Sequence, residues 1–309
     1  MKLKDGEENA SAQLGVTEQE NPRTAQIGKL PTLDVLRLMN EEDARVAEAV
    51  ASVLPIIAQA VEAIVERLKN GGHLFYVGTG TSGRLGVLDA AECPPTFGVS
   101  PNLVQGIIAG GYEACYRAVE ASEDDAAAGG RDLRERGLSE RDAVVGIAAS
   151  GATRYTIGAL EAARACGAFT VGLTASPDSL ITHAAEISIV TNVGAEAIAG
   201  STRLKAGTAH KMVLNMISTA TMIRLGYVSG NRMSNLQARN DKLRARAARI
   251  LCAEAGFDEA AARAALEAAG GNLSVALVMS ETACSREAAT NALAQSKGVV
   301  EQAIEHLRA

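Results

Sequence analysis

The sequence predicts an α/β fold: a three-layer sandwich of parallel sheet between helices, followed by a small C-terminal all-helical domain. Three observations predict it. Short apolar runs at 73–77, 103–109, 143–149, 169–174 and 187–190 alternate with helical segments, the pattern of strands returned by crossover helices. The runs are continuous rather than alternating, as in strands covered on both faces. After residue 240 the β-branched runs stop and alanine-rich helix takes over.

Each element has a local reason. Residues 1–20 are polar and without period, so 1–24 reads as a mobile leader ahead of a domain spanning 25–244. Between 41 and 68, Val46, Val50, Val53, Ile57, Val61, Ile64 and Leu68 recur at three- or four-residue steps, an amphipathic stripe. Pro55 interrupts it and predicts a break near Leu54, while Gly71-Gly72 stops the helix. The strand at 73–77 runs into a glycine loop and a helix expected to end at about Glu92, because Pro94 disfavours helical geometry at Cys93. Further helices are expected over most of 113–136, at 153–166, at 180–185 and at 202–225. In the tail, Ala265-Leu266 with Gly271 and Ala276-Leu277 is echoed by Ala292-Leu293 with Gly298 and Ala303-Ile304. This is two helix–turn–helix units in a domain of 245–309.

Composition excludes several classes of function. The 309 residues carry a net charge of −6 and show no basic stripe or aromatic platform, so nucleic acid is not an expected partner. No window approaches the apolar run of about 18 residues that a membrane helix needs, and the polar N-terminus does not read as a signal peptide. The expected location is the cytoplasm, with no membrane partner. Cys93, Cys115, Cys166, Cys252 and Cys284 are scattered singly, without Cys-x-x-Cys pairs. With no zinc site indicated by the cysteines, and no ligand spacing among His73, His183, His210 and His306, structural roles are expected for the histidines.

Chemistry concentrates in two loops. Gly78-Thr79-Gly80-Thr81-Ser82-Gly83 follows a strand and opens a helix, so backbone N–H groups and the hydroxyls of Thr81 and Ser82 converge on one point, a design suited to phosphate. The spacing also matches G-x-G-x-x-G, but a dinucleotide fold needs an acid about 20 residues on for the ribose. No Asp or Glu lies between Cys93 and Tyr112, and that reading falls. Ser150-Gly151-Ala152-Thr153 repeats the design after the strand at 143–149. Alone, Ser150 and Thr153 read equally well as helix caps; paired with the first loop they favour phosphate.

These loops resemble the sugar isomerase (SIS) domain, a flavodoxin-like phosphosugar-binding fold. The run from Gly80 to Gly86, continued by Asp89-Ala90-Ala91-Glu92-Cys93-Pro94-Pro95-Thr96-Phe97-Gly98, resembles one branch of it closely, the N-acetylmuramic acid 6-phosphate etherases. Ile107 to Gly111, Glu120 to Asp124, Gly146 to Gly151, and Gly194 to Ala209 extend the resemblance over about residues 25–250. It implies cleavage of a D-lactyl ether by elimination and water addition, without metal or nucleotide, in a homodimer with sites near the subunit boundary. Glu92 and Glu123 fall on the acid/base positions, Glu92 as the acid for departing lactate and Glu123 as the partner near C2, with the opposite order open. Thr81, Ser82, Gly83, Ser150, Gly151 and Thr153 fall on phosphate-binding positions, and Ala148 stands where isomerase relatives often carry another hydroxyl. Glu196 matches a proton-transfer position of isomerase relatives, and Ser201 and Lys205 a substrate-contact segment; helix-start capping is the alternative for Glu196 and Ser201.

Glu92 is expected at a helix C-terminus, partly buried, with its charged form disfavoured by the helix dipole. Ten helical residues span roughly 15 Å, so either the helix is shorter than it reads or Glu92 serves the site of a partner subunit, and the dimers implied by the resemblance favour a homodimer. Arg84 is a candidate for the lactyl carboxylate or a solvated charge, and Cys93 reads as packing. The tail resembles ubiquitin-associated modules, with a lid or dimer-stabilising role expected. Two other functions fit the fold: a sugar-phosphate-sensing regulator, which needs no acid at Glu92, and a phosphosugar isomerase.

Overall fold

A computed structural model describes residues 15–119, 123–235 and 241–308. Residues 1–14 of the expected leader lie outside the described residues. Residues 15–24 do not behave as a leader: Thr17, Asn21 and Thr24 are buried against the fold.

Helices α1 (Thr32–Asp43), α2 (Val46–Ala51) and α3 (Leu54–Lys69) lead into strand β1 (Leu74–Gly78). The expected break is present, since Ser52 and Val53 separate α2 from α3 and Pro55 sits in the first turn of α3, where no N–H partner is lost. Then follow α4 (Gly80–Phe97), β2 (Val104–Ile108), α5 (Ala126–Glu135), β3 (Ala143–Ile147), α6 (Arg154–Ala165), β4 (Phe169–Thr174), α7 (Leu180–Ala184), β5 (Ile187–Val190) and α8 (Lys205–Arg224). A short hairpin of β6 (Val228–Ser229) and β7 (Arg232–Met233) precedes α9 (Asp241–Ala255), α10 (Glu259–Ala268), α11 (Leu273–Thr282), α12 (Arg286–Gln295) and α13 (Val300–Arg308).

The sheet is parallel throughout, in the order β2-β1-β3-β4-β5. Its side chains sort by the period of two: Leu74 and Tyr76 join α3, α4 and α8 on one face, while Phe75 and Val77 join α5 and α6 on the other. β1 is the turning point. From it the chain steps outward to β2, then crosses back to β3, so the loops after β1 and β3 diverge from adjacent strand ends, with Gly78 opposite Ile147. Ligands of such sheets bind in the crevice that this divergence opens.

Helix α4 does not end near Cys93. It runs through Pro94 and Pro95 to Phe97 and closes on Gly98, whose N–H reaches the Pro94 carbonyl at 2.9 Å with φ at +68°. Two prolines remove intrahelical hydrogen bonds. Burial of Cys93 and Phe97 in the main core holds the last turn in place regardless. Packing overrides the local preference here.

A separate hydrophobic core binds α9 to α13, built from Leu251, Leu266, Leu273, Val278, Leu293 and their neighbours. The two expected helix–turn–helix units are α10–α11 and α12–α13. The turn before α13 docks beside the C-terminal ends of α3 and α8: Lys297 Nζ donates to the Lys69 carbonyl at 3.0 Å and Asn235 Nδ2 to the Gly298 carbonyl at 3.0 Å. The strands begin at that end of the sheet. The crevice lies at the other, so these helices do not cover the cleft of their own chain. No single described helix is long and apolar enough to cross a membrane.

Candidate active site

The loops after β1 and β3 bound a cleft of about 400 Å³. Thr79, Gly80, Thr81 and Ser82 form one wall, Ala148, Ala149, Ser150 and Thr153 the next, and Gly200 and Thr202 a third. Glu18, Arg84 and Glu123 bring charges to it.

Both turns open into this cleft. The residue before α4, Thr79, is extended and makes no side-chain cap. The first N–H groups of α4 therefore keep their donor capacity, together with the positive end of the helix dipole. At α6 the flanking residue is Thr153, whose side chain again makes no cap, while Ser150 Oγ accepts the Ala152 N–H at 3.3 Å. The capping alternative for Thr153 is thus not the one realised. Gly83 lies under the first turn of α4: a Cβ there would stand 2.6 Å from the Gly78 carbonyl oxygen and 2.7 Å from Ile108. Gly151 takes φ of +68° against Ser179, whose Oγ would be 2.0 Å from a Cβ. Both glycines shape the turns rather than line the cleft.

Glu123 is half-buried and enters beside the α4 turn, its Oε1 3.5 Å from the point a Cβ on Gly80 would occupy. Its carbonyl accepts the Tyr155 N–H at 3.0 Å, which fastens it to α6. Arg84 is more than a solvated charge. It lines the cleft, and its Nε and Nη2 donate to the carbonyls of Cys115 and Arg117 at 3.2 and 2.8 Å, tying down the loop that leads toward Glu123.

Glu92 departs from expectation. It is exposed on α4, and the helix continues past it to Phe97, so neither the expected burial nor the expected helix end is present. It does not line the cleft of its own chain.

The start of α8 is built differently. Glu196 is buried and accepts the N–H groups of Lys205 and Ala206, each at 2.9 Å. Burial pushes its carboxyl above the usual range against these bonds and the Lys205 charge. Lys205 is buried as well, and its Nζ meets Glu42 Oε2 at 2.6 Å. Burial alone would raise Glu42; the bonds from Lys205 and Asn21 with the charges of Lys205 and Arg23 hold it below the usual range. Glu196 and Lys205 are therefore occupied inside the protein, and substrate contact by either is corrected to a structural role. Ser201 sits half-buried in the turn between them and does not line the cleft.

Two titratable groups outside the cleft lining are buried. Burial, with the neighbouring Asp89 charge, pushes the Cys93 thiol up to about 12, as suits packing. Burial pushes His210 on α8 down to about 4, a neutral side chain bonded to the backbone at Thr174.

The adjacent ends of β1 and β3 thus carry two hydroxyl-lined helix starts without side-chain caps, an arrangement suited to an anion. A family profile described as "Glucokinase regulatory protein N-terminal SIS domain" matches residues 56–164. An N-acetylmuramic acid 6-phosphate etherase of Bacillus licheniformis is 50% identical over 297 residues, covering 96% of this chain and 98% of that one. Another, from Symbiobacterium thermophilum, is 54% identical over 263 residues, covering 85% and 87%. The chain belongs to the N-acetylmuramic acid 6-phosphate etherase family.

Sequence reading missed Glu18, Thr79 and Thr202 as cleft residues. Thr79 and Thr202 lay inside motifs already singled out. Glu18 had no local signal.

Proposed function

We propose that this chain, a carbon–oxygen lyase by family, cleaves N-acetylmuramic acid 6-phosphate to N-acetylglucosamine 6-phosphate and D-lactate in the cytoplasm, within cell-wall amino sugar recycling. The observation that carries this reading is the pairing of two uncapped helix starts with a carboxylate, Glu123, in one cleft.

An unactivated ether resists direct displacement. In the open-chain sugar, the C1 aldehyde acidifies the C2 proton, and loss of that proton lets lactate leave from C3; water then adds across the alkene. The N–H groups at the start of α4 and the hydroxyls of Thr81, Ser82, Ser150 and Thr153 hold the phosphate, fixing the sugar against the catalytic groups. Glu123 removes the C2 proton. Glu92 protonates the departing lactate oxygen and then assists water.

Glu92 reaches that position from a second copy of the chain. Its exposure on the outer side of α4 supports this, since a carboxylate outside its own cleft serves one only across an interface. The working unit is therefore a homodimer. The α9–α13 helices, remote from their own cleft, stabilise it.

Incubation with N-acetylmuramic acid 6-phosphate should release D-lactate, with solvent deuterium entering C2. A protein that binds the sugar phosphate but releases no lactate would be a sensor, and one that only interconverts aldose and ketose an isomerase. Glu123→Gln should lower kcat by about 10²- to 10⁴-fold. Mixing the nearly inactive Glu92→Gln and Glu123→Gln proteins should restore part of the activity; a mixture as inactive as its parents contradicts the shared site.

A further inference from the structure

We infer that Glu18 is a substrate-binding residue, whose carboxylate accepts hydrogen bonds from hydroxyl groups of the open-chain sugar while the helix starts hold its phosphate. The inference rests on the phosphosugar reading of the cleft and deepens it.

Residues 15–24 have no apolar stripe to dock them, yet Thr17, Asn21 and Thr24 are buried, and Glu18 between them is exposed and lines the cleft. The Thr17 carbonyl accepts the Gly200 N–H at 2.9 Å. Asn21 Nδ2 donates to Glu42 Oε2 at 2.7 Å and to the Ala195 carbonyl at 3.2 Å. Arg23 Nε meets Glu42 Oε1 at 2.7 Å, and Lys205 Nζ meets Glu42 Oε2 from the start of α8. The side chains of Glu42 and Lys205 are 0% and 2% exposed. A buried ion pair is often no more stabilising than an apolar pair of the same volume. Its effect here is positional: it ties the N-terminal segment, α1, and the loop before α8 into one block, and that block carries Glu18.

The carboxylate then occupies the cleft wall. Its Oε2 lies 3.1 Å from where a Cβ on Gly200 would stand, so a larger residue there would crowd it. Glu18 comes from the Gly200–Thr202 wall, and Glu123 comes from the wall formed by α4 and α6. Among the described lining residues Arg84 is the cation opposing these two carboxylates. A ligand bearing a phosphate and a carboxylate would be repelled by an idle glutamate. A glutamate lining the cleft offsets that repulsion by accepting hydrogen bonds, and among the donors such a ligand offers the hydroxyls are the most numerous.

The test compares two ligands on the whole protein. Inhibition constants for inorganic phosphate and for N-acetylglucosamine 6-phosphate are measured for the unaltered chain, Glu18→Gln and Glu18→Asp, with KM and kcat for the lactyl ether alongside. Loss of a hydrogen bond to a charged acceptor should weaken the sugar phosphate and raise KM by about 10- to 100-fold in Glu18→Gln, most of the loss falling on KM. Inorganic phosphate should bind as before or more tightly, because a negative charge has left the cleft. Glu18→Asp, which keeps the charge but shortens the reach, should weaken the sugar phosphate without tightening phosphate. Equal loss for both ligands would mean a displaced segment rather than a lost contact, and no change for either would mean an idle side chain; both overturn the inference. If the unaltered chain binds neither ligand, the phosphosugar reading itself fails, which is a separate result.

Discussion

The starts of α4 and α8 look alike in sequence and differ in chemistry. Each opens amid glycine and hydroxyl residues, Gly78 to Gly83 around the start of α4 and Gly200 to Thr202 ahead of α8. At α4 no side chain caps the helix, and the free N–H groups face a cleft. At α8 the carboxylate of Glu196 already takes the N–H groups of Lys205 and Ala206, and Lys205 is spent on Glu42. The protein supplies its own anion at α8 and leaves the place of the anion open at α4; at α6 one first-turn donor, the Tyr155 N–H, is taken by the Glu123 carbonyl. A helix start is a binding site only when its own chain has not filled it.

The contrast can be broken by substitution. The largest effect is expected at the filled end. Lys205→Met leaves Glu42 buried with less compensation and should cost about 3–5 kcal/mol of stability, read as a shifted urea midpoint. If Lys205 served substrate instead, stability would hold and KM would rise. Buried on α8, His210 adds a pH dependence. Its folded value lies near 4 against about 6.5 unfolded, so below pH 6.5 the unfolded chain takes up a proton the folded one refuses. Stability should fall by up to about 3 kcal/mol between pH 6.5 and 4, and His210→Gln should flatten that stretch of the curve. At the open end, Ser82→Ala should raise KM about tenfold through one lost bond to a charged group, with stability changed by less than about 0.5 kcal/mol. Ser201→Ala, at the filled end, should leave KM where it was. Equal effects at Ser82 and Ser201 would erase the distinction.

Much of this was legible before the structure. Five apolar runs gave five strands because parallel strands buried on both faces need no alternation to be recognised. The glycine loops announced the cleft, and the resemblance picked out Glu123, which lines it. What escaped notice was decided by distant residues. Pro94 and Pro95 signalled a helix end that burial of Phe97 overrode. Helix α1 lacked an inward stripe, with Leu33 and Leu36 exposed and Glu42 its buried residue. The sequence of 113–136 reads as mostly helix, but only a short turn at Gly111–Cys115 and α5 are helical among the described residues there. Glu196 and Lys205 sit in a motif that resemblance ties to substrate, and only their three-dimensional partners reveal that both are already satisfied. Glu18 was invisible for the opposite reason: a lone acid in a polar segment says nothing until Asn21 and Glu42 show where that segment is fastened.

The most direct measurement is a crystal structure of the protein soaked with N-acetylglucosamine 6-phosphate. The phosphate should lie within hydrogen-bond distance of Ser82 and Thr153, between the starts of α4 and α6, with Glu123 turned toward the sugar carbons. Phosphate density at the start of α8, or a sugar bound away from both open turns, would contradict the account.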